Sequence, residues 1–143
     1  MKELMCTKRF ELGSSKNTEC RDFSYHFFEN LNQKDMENKS FFRSDFRGSH
    51  FRNIYFYKNN LDRADFISCT FEDCIFDEVS IGSSEMKNCI FINSHFKLNE
   101  YNNTSIQECF FENCTFDNEH HLVNTKNTHF KNTSFSNISF ERS

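Results

Sequence analysis

Residues 41–60 read FFRSDFRGSHFRNIYFYKNN, and a large apolar side chain returns there at every fifth place: Phe41, Phe46, Phe51 and Phe56. The same step runs on through Leu61, Phe66, Phe71, Phe76, Ile81, Met86, Phe91, Phe96, Tyr101, Ile106, Phe111 and Phe116. A chain that is only 36% hydrophobic does not hold such a run in register by accident. Two places before the large residue stands a mostly small one, as in Ser44, Ser49, Ala64, Cys69, Cys74, Cys89 and Ser94. Two places after it come many Asn, Asp, Gly and Ser residues. A period of five matches neither the 3.6-residue helical repeat nor uninterrupted strand alternation. It matches a short extended piece with positions i−2 and i turned inward, followed by a corner made of turn-prone residues. One such quintet buries too little to stand alone, so coils must stack.

Segments such as Ser-Asp-Phe-Arg-Gly (44–48), Ala-Asp-Phe-Ile-Ser (64–68), Cys-Thr-Phe-Glu-Asp (69–73) and Cys-Thr-Phe-Asp-Asn (114–118) carry a small–polar–Phe–polar–turn unit. In this the chain resembles the pentapeptide-repeat proteins, over about half its length without interruption and again near the C-terminus. The resemblance implies an all-β fold, a right-handed quadrilateral β-helix with one quintet per side and about 20 residues per coil. Coils would lie about 4.8 Å apart, as paired strands do. Written in twenties, the run gives four inward columns. Two are pure Phe, namely Phe51, Phe71, Phe91, Phe111 and Phe56, Phe76, Phe96, Phe116; the other two mix aromatic and aliphatic residues.

The chain divides into an irregular N-terminal segment or cap (1–30), a regular solenoid (31–116), an irregular loop or slipped side (117–127) and a terminal repeat coil (128–143). Leu31 and Met36 extend the phase backward, whereas Phe23 and Phe28 fall out of it. After Phe116 a histidine stands where a large residue is due, and Leu122 or Val123 is the expected anchor of the slipped side. The pattern then returns one residue early, adding Phe130, Phe135 and Phe140 to the expected core. At 143 residues, with no Pro and three Gly, this is one domain without linkers. A net charge of −4 disfavours direct nucleic-acid binding, and no apolar run is long enough for a membrane helix.

Seven cysteines and six histidines invite a metal reading, through the C-x4-C pairs Cys69–Cys74 and Cys109–Cys114 above all. Zinc needs four converging ligands. Five of the seven Cys occupy the small i−2 site, however, and the coil model sends the members of each pair to different sides. Cys69, Cys89 and Cys109 should form a ladder of free, packed thiols, and the odd number of thiols suits a reducing, cytoplasmic setting. No metal and no cofactor is expected. His50, His95, His120 and His121 come with no nucleophile motif, phosphate loop or carboxylate pair, so no catalytic residue is assigned and no enzyme is expected.

Outward apolar residues are the better lead. Tyr55, Tyr57 and Ile75 should share one face, and Ile90, Ile92 and Phe110 the face before it, as a candidate protein interface. The expected function is a rigid protein-binding or scaffold module. The alternative, which the family resemblance implies, is a DNA mimic that binds a type II topoisomerase. For this the rod is short and its charge mixed, with Arg43, Arg47, Arg52, Lys58 and Arg63 crowding the first coils. A strand edge left open after Phe140 would favour a homodimer through the C-terminal coil.

Overall fold

The computed structural model describes residues 18–119 and 125–138. Phe10, Phe140, His120, His121, Leu122 and Val123 lie outside the described residues, as does most of the expected N-terminal cap.

The described chain is a parallel β-solenoid. In order come β1 (Phe27–Leu31), a single helical turn α1 (Gln33–Met36), the long β2 (His50–Tyr57) and then three-residue strands. These are β3 (Asp65–Ile67), β4 (Thr70–Glu72), β5 (Ile75–Asp77), β6 (Glu85–Lys87), β7 (Ile90–Ile92), β8 (His95–Lys97), β9 (Ser105–Gln107), β10 (Phe110–Glu112) and β11 (Thr115–Asp117). The last coil holds β12 (Thr125–Lys126), β13 (His129–Lys131) and β14 (Ser134–Ser136). Three sides carry ladders of strands. The first stacks β3, β6, β9 and β12; the second β1, β2, β4, β7, β10 and β13; the third the end of β2, then β5, β8, β11 and β14. The fourth is held by isolated bridges at Ser40, Asn60, Ser80 and Glu100. Through the regular coils every pairing joins residues 20 apart, Phe51 to Phe71 to Phe91 to Phe111 for example. A five-residue side repeated four times gives this register, because only the twentieth residue returns to the same side.

All sixteen large residues from Phe41 to Phe116 are buried. In the two Phe columns the rings stack with centroids 4.5–4.8 Å apart and planes within 9° of parallel, apart from the looser ends of the rod. Rings on neighbouring sides meet edge to face, as Phe71 meets Phe76 at 5.5 Å and 62°. The ring quadrupole disfavours a face-to-face sandwich, so the strand spacing, not ring attraction, sets the parallel contact. The edge-to-face contacts across the core offset that. A void of only about 10 Å³ is left among Phe28, Leu31, Met36, Phe41, Phe46, Phe51, Ile54 and Phe56.

Corners close in one way throughout. Among the described residues Gly48 and 22 others hold φ between 49° and 72°, and each regular one lies two places after the inward residue. Asn fills half of the non-glycine corners, as its tolerance of the left-handed region predicts. Arg43, Arg63, Glu78 and Leu98 adopt it without that tolerance. Gly48 answers a second demand, since a Cβ there would lie 2.5 Å from the Tyr25 ring.

The phase shift read at Phe23 and Phe28 has a simple cause. Both rings belong to the core, stacked on Phe46 and Phe51 at 5.2 and 5.0 Å, but 23 residues away rather than 20. The three extra residues are spent in α1, closed by a capping box between Asn32 and Asp35. A coil therefore already exists from Thr18, where the phase alone indicates an irregular segment. At the other end Phe111 pairs with Phe130 and Phe116 with Phe135, a spacing of 19. Phe130 is half-buried and Phe135 is exposed.

Candidate binding surfaces

The small inward residues do more than leave room for the large ones. Most polar ones donate to the carbonyl of the large residue one coil back: Cys69 Sγ to Phe46 O at 2.9 Å, Cys89 to Phe66 O at 2.7 Å, Ser84 Oγ to Leu61 O at 2.7 Å, Asn99 Nδ2 to Phe76 O at 3.0 Å. Thr104 makes the same bond to Ile81 O. Buried carbonyls need a donor, so Ser, Cys, Thr and Asn serve this site where Ala64 only fits it. The Cys ladder is thus a column of weak donors as well as packed thiols. Burial pushes Cys74 up to about 12. The hydrogen bond with Cys89, followed by burial, raises Cys109 far above its ordinary range. Neutral thiols of this kind are poor nucleophiles. Cys20, Cys69, Cys74, Cys89, Cys109 and Cys114 are free thiols, with Cys20 exposed. Among the described residues no three His, Cys, Asp or Glu side chains are grouped to hold a metal ion, and no helix is long and apolar enough to cross a membrane.

One inward residue has a different chemistry. Glu119 is fully buried in the column of Asn59, Val79 and Asn99. Its carboxylate accepts from Asn99 N at 3.0 Å, from Asn99 Nδ2 at 3.1 Å and from the Tyr101 hydroxyl. Burial pushes its pKa up to about 7, against the pull of the Tyr101 and Asn99 donors. Position i−2 of the slipped quintet is the available signal for it. The residue type hides it, since Glu is rarely inward.

The outward residues sort by face as the spacing predicts. Ile90, Ile92 and Phe110 lie on the second side, Ile90 exposed and the other two half-buried. Tyr55, Tyr57 and Ile75 lie half-buried on the third. Tyr55 donates to Asp77 at 2.8 Å, and burial followed by that bond pushes its phenol up to about 12. The two groups are separated by a corner of Asn53, Asp73, Asn93 and Asn113, so they form two patches. Two neighbours extend the second-side patch: Phe27, 40% exposed, pairs with His50, its ring centroid 6.4 Å from the imidazole. Phe27 escapes a reading in twenties because it lies 23 residues from its neighbour.

The first side carries a different column, Asp22, Asp45, Asp65 and Glu85 on successive coils. Partial burial, and then the charges of Asp45 and Glu85, raise the pKa of Asp65. Arg43, Arg63 and Lys58 occupy corners, while Arg47 and Arg52 lie on sides one and two.

Known proteins agree with this geometry. The family model of pentapeptide repeats matches residues 40–77 with eight copies. No curated protein matches the chain in sequence. Among solved structures, a trypsin-treated variant of QnrB1, a plasmid-mediated fluoroquinolone resistance protein, superposes with a TM-score of 0.63 at 14% identity, over 85% of this chain and 68% of that one. A second trypsin-treated variant of the same protein gives 0.53 at 11% identity, over 96% and 67%. A pentapeptide-repeat protein, Rfr23 from the cyanobacterium Cyanothece 51142, gives 0.48 at 17% identity, over 87% and 92%. At these identities the likeness concerns the fold. The repeats matched at residues 40–77 and the quintet-by-quintet coil show a β-solenoid built of pentapeptide repeats, a fold shared with these structures.

Proposed function

We propose that the chain is a non-enzymatic, cytoplasmic binding rod, whose second side docks a protein surface. The observation that carries this reading is the exposure of Ile90 (41%) and Phe27 (40%) on a straight ladder whose inward residues are fully spent on packing. Among the described residues the core void beside Phe46 and Phe51 is only about 10 Å³, and the buried Cys74 and Cys109 thiols are held neutral. Apolar groups presented on a flat, rigid backbone lose little entropy on docking. The test is capture by site-specific cross-linking in cells, followed by binding of the captured protein to purified wild type and to Phe110→Glu. Binding that Phe110→Glu leaves intact would overturn the reading.

A second reading has its own observation. The column Asp22, Asp45, Asp65 and Glu85 presents carboxylates in a line about 4.8 Å apart along one side of the solenoid. This supports a DNA-mimicking binder of a type II topoisomerase, the role suggested by the fold shared with a fluoroquinolone resistance protein. A gyrase supercoiling assay with and without the protein decides it. Inhibition or quinolone protection lost in Asp45→Lys supports the mimic, and no effect at any concentration rejects it.

A further inference from the structure

We infer that the second side is self-complementary and pairs with the same side of a second copy, the two rods running antiparallel. The inference rests on the reading of that side as a docking surface and names its occupant. Two outward columns run the length of the side. One is Phe27, His50, Thr70, Ile90, Phe110 and His129; the other is Glu29, Arg52, Glu72, Ile92, Glu112 and Lys131. The charged members face water in the single chain, Arg52 and Lys131 with side chains 49% and 63% exposed. A two-fold axis along the strand direction, midway between Phe71 and Phe91, reverses the order of coils. It leaves each column facing itself.

At full overlap that operation makes opposite charges meet. Glu29 faces Lys131 of the second copy and Arg52 faces Glu112, each contact occurring twice by symmetry. In the other column the His50 imidazole comes against the Phe110 ring, Phe27 against His129, and Ile90 against the Thr70 methyl. Glu72 beside Ile92 gains nothing. The pairing also explains a feature the single chain leaves idle. Glu29–Arg52 and Glu112–Lys131 are ion pairs within the rod at its two ends, and each sets acid before base along the column, so turning one rod over makes acid meet base. Rods running the same way would set Arg52 against His50 and Glu112 against Phe110, with no ion pair. The first side, with Asp45, Asp65 and Glu85 in line, repels a copy of itself.

Three-residue strands on six coils make a footprint of about 300 Å² per copy, well under the ~800 Å² of a standard stable interface. The dimer is therefore weak and transient. Sedimentation equilibrium of the full chain up to millimolar concentration reads it. Arg52→Glu sets carboxylate against carboxylate at both symmetric contacts, and Glu112→Arg sets guanidinium against guanidinium. Each variant alone should self-associate about tenfold more weakly. Their equimolar mixture restores opposite charges at both contacts and should recover to within about threefold of wild type. Both changes lie on the surface; should either variant fail to fold, Ile90→Glu replaces it and must weaken the dimer as well. A wild type that stays monomeric overturns the pairing, as does a mixture no tighter than its components. So does a dimer of doubled length, which would place the contact at the rod's end. A monomeric result leaves the binding-module reading to its own Phe110→Glu comparison.

Discussion

The solenoid loses its twenty-residue beat at two places, and it absorbs the two errors by different means. Near the start three residues are added between Phe28 and Met36. Near the end one residue is missing between Glu119 and Thr125. The extra three make a closed local unit: one turn of helix, an Asn32–Asp35 capping box with bonds of 2.9 and 2.8 Å, and a buried Met36 that hands the chain back in phase. Before the missing one the inward site holds a carboxylate, whose donors are Asn99 and Tyr101 of the preceding coil. The insertion is closed by bonds within itself, whereas the last inward residue before the deletion is satisfied by the coil behind it.

The regular coils between the two breaks are the reference. Phe71 is fully buried and stacked at 4.6 Å on both Phe51 and Phe91, so Phe71→Ala should cost about 3–5 kcal/mol in urea unfolding. Phe130→Ala, past the second break, should cost visibly less. Equal costs would mean that the last coil is as firmly packed as the middle.

Glu119 gives the deletion a pH signature. It takes up its proton at about 7 in the fold against 4.5 as the ordinary value. Its contribution to stability is fully present below pH 4.5 and is lost as pH rises to 7. Glu119→Gln keeps acceptor and donor without the charge, so it should flatten that slope and raise stability at pH 8 by about 2–3 kcal/mol. Melting curves between pH 4.5 and 8 test this, and parallel slopes in both proteins would reject it.

The insertion should be cheaper to damage. Asn32→Ala removes one half of the capping box and should cost about 1 kcal/mol, independent of pH over the same range. Smallest is a change in the regular part itself. Leu98 holds φ +59° with 44% of its surface exposed, so Leu98→Asn should stabilise by about 0.5–1 kcal/mol. A loss there would mean that Leu98 packs on something in solution.

Much of this is legible without coordinates. The inward columns, the Cys ladder, the corner two places after each large residue and the faces of Ile90 and Tyr55 all follow from counting in fives and twenties. The acidic column, Phe27 beside His50 and the charge order of side two are harder to read, because they cross the break where twenty becomes 23. Glu119 escapes for a chemical reason, since its i−2 place marks it as inward but its carboxylate argues against burial.

Sequence alone determined the period, and with it which side chains face the core, because that choice is made within five residues by the strand's alternation and the turn after it. Where a phase error is spent is a different matter. Whether Phe23 joins the core depends on which of the following residues leave the ladder. Only the stacked coil beneath decides that, through backbone pairs more than twenty residues apart. The same holds for Glu119, whose burial is tolerable only because Asn99 and Tyr101 of another coil bring donors to it.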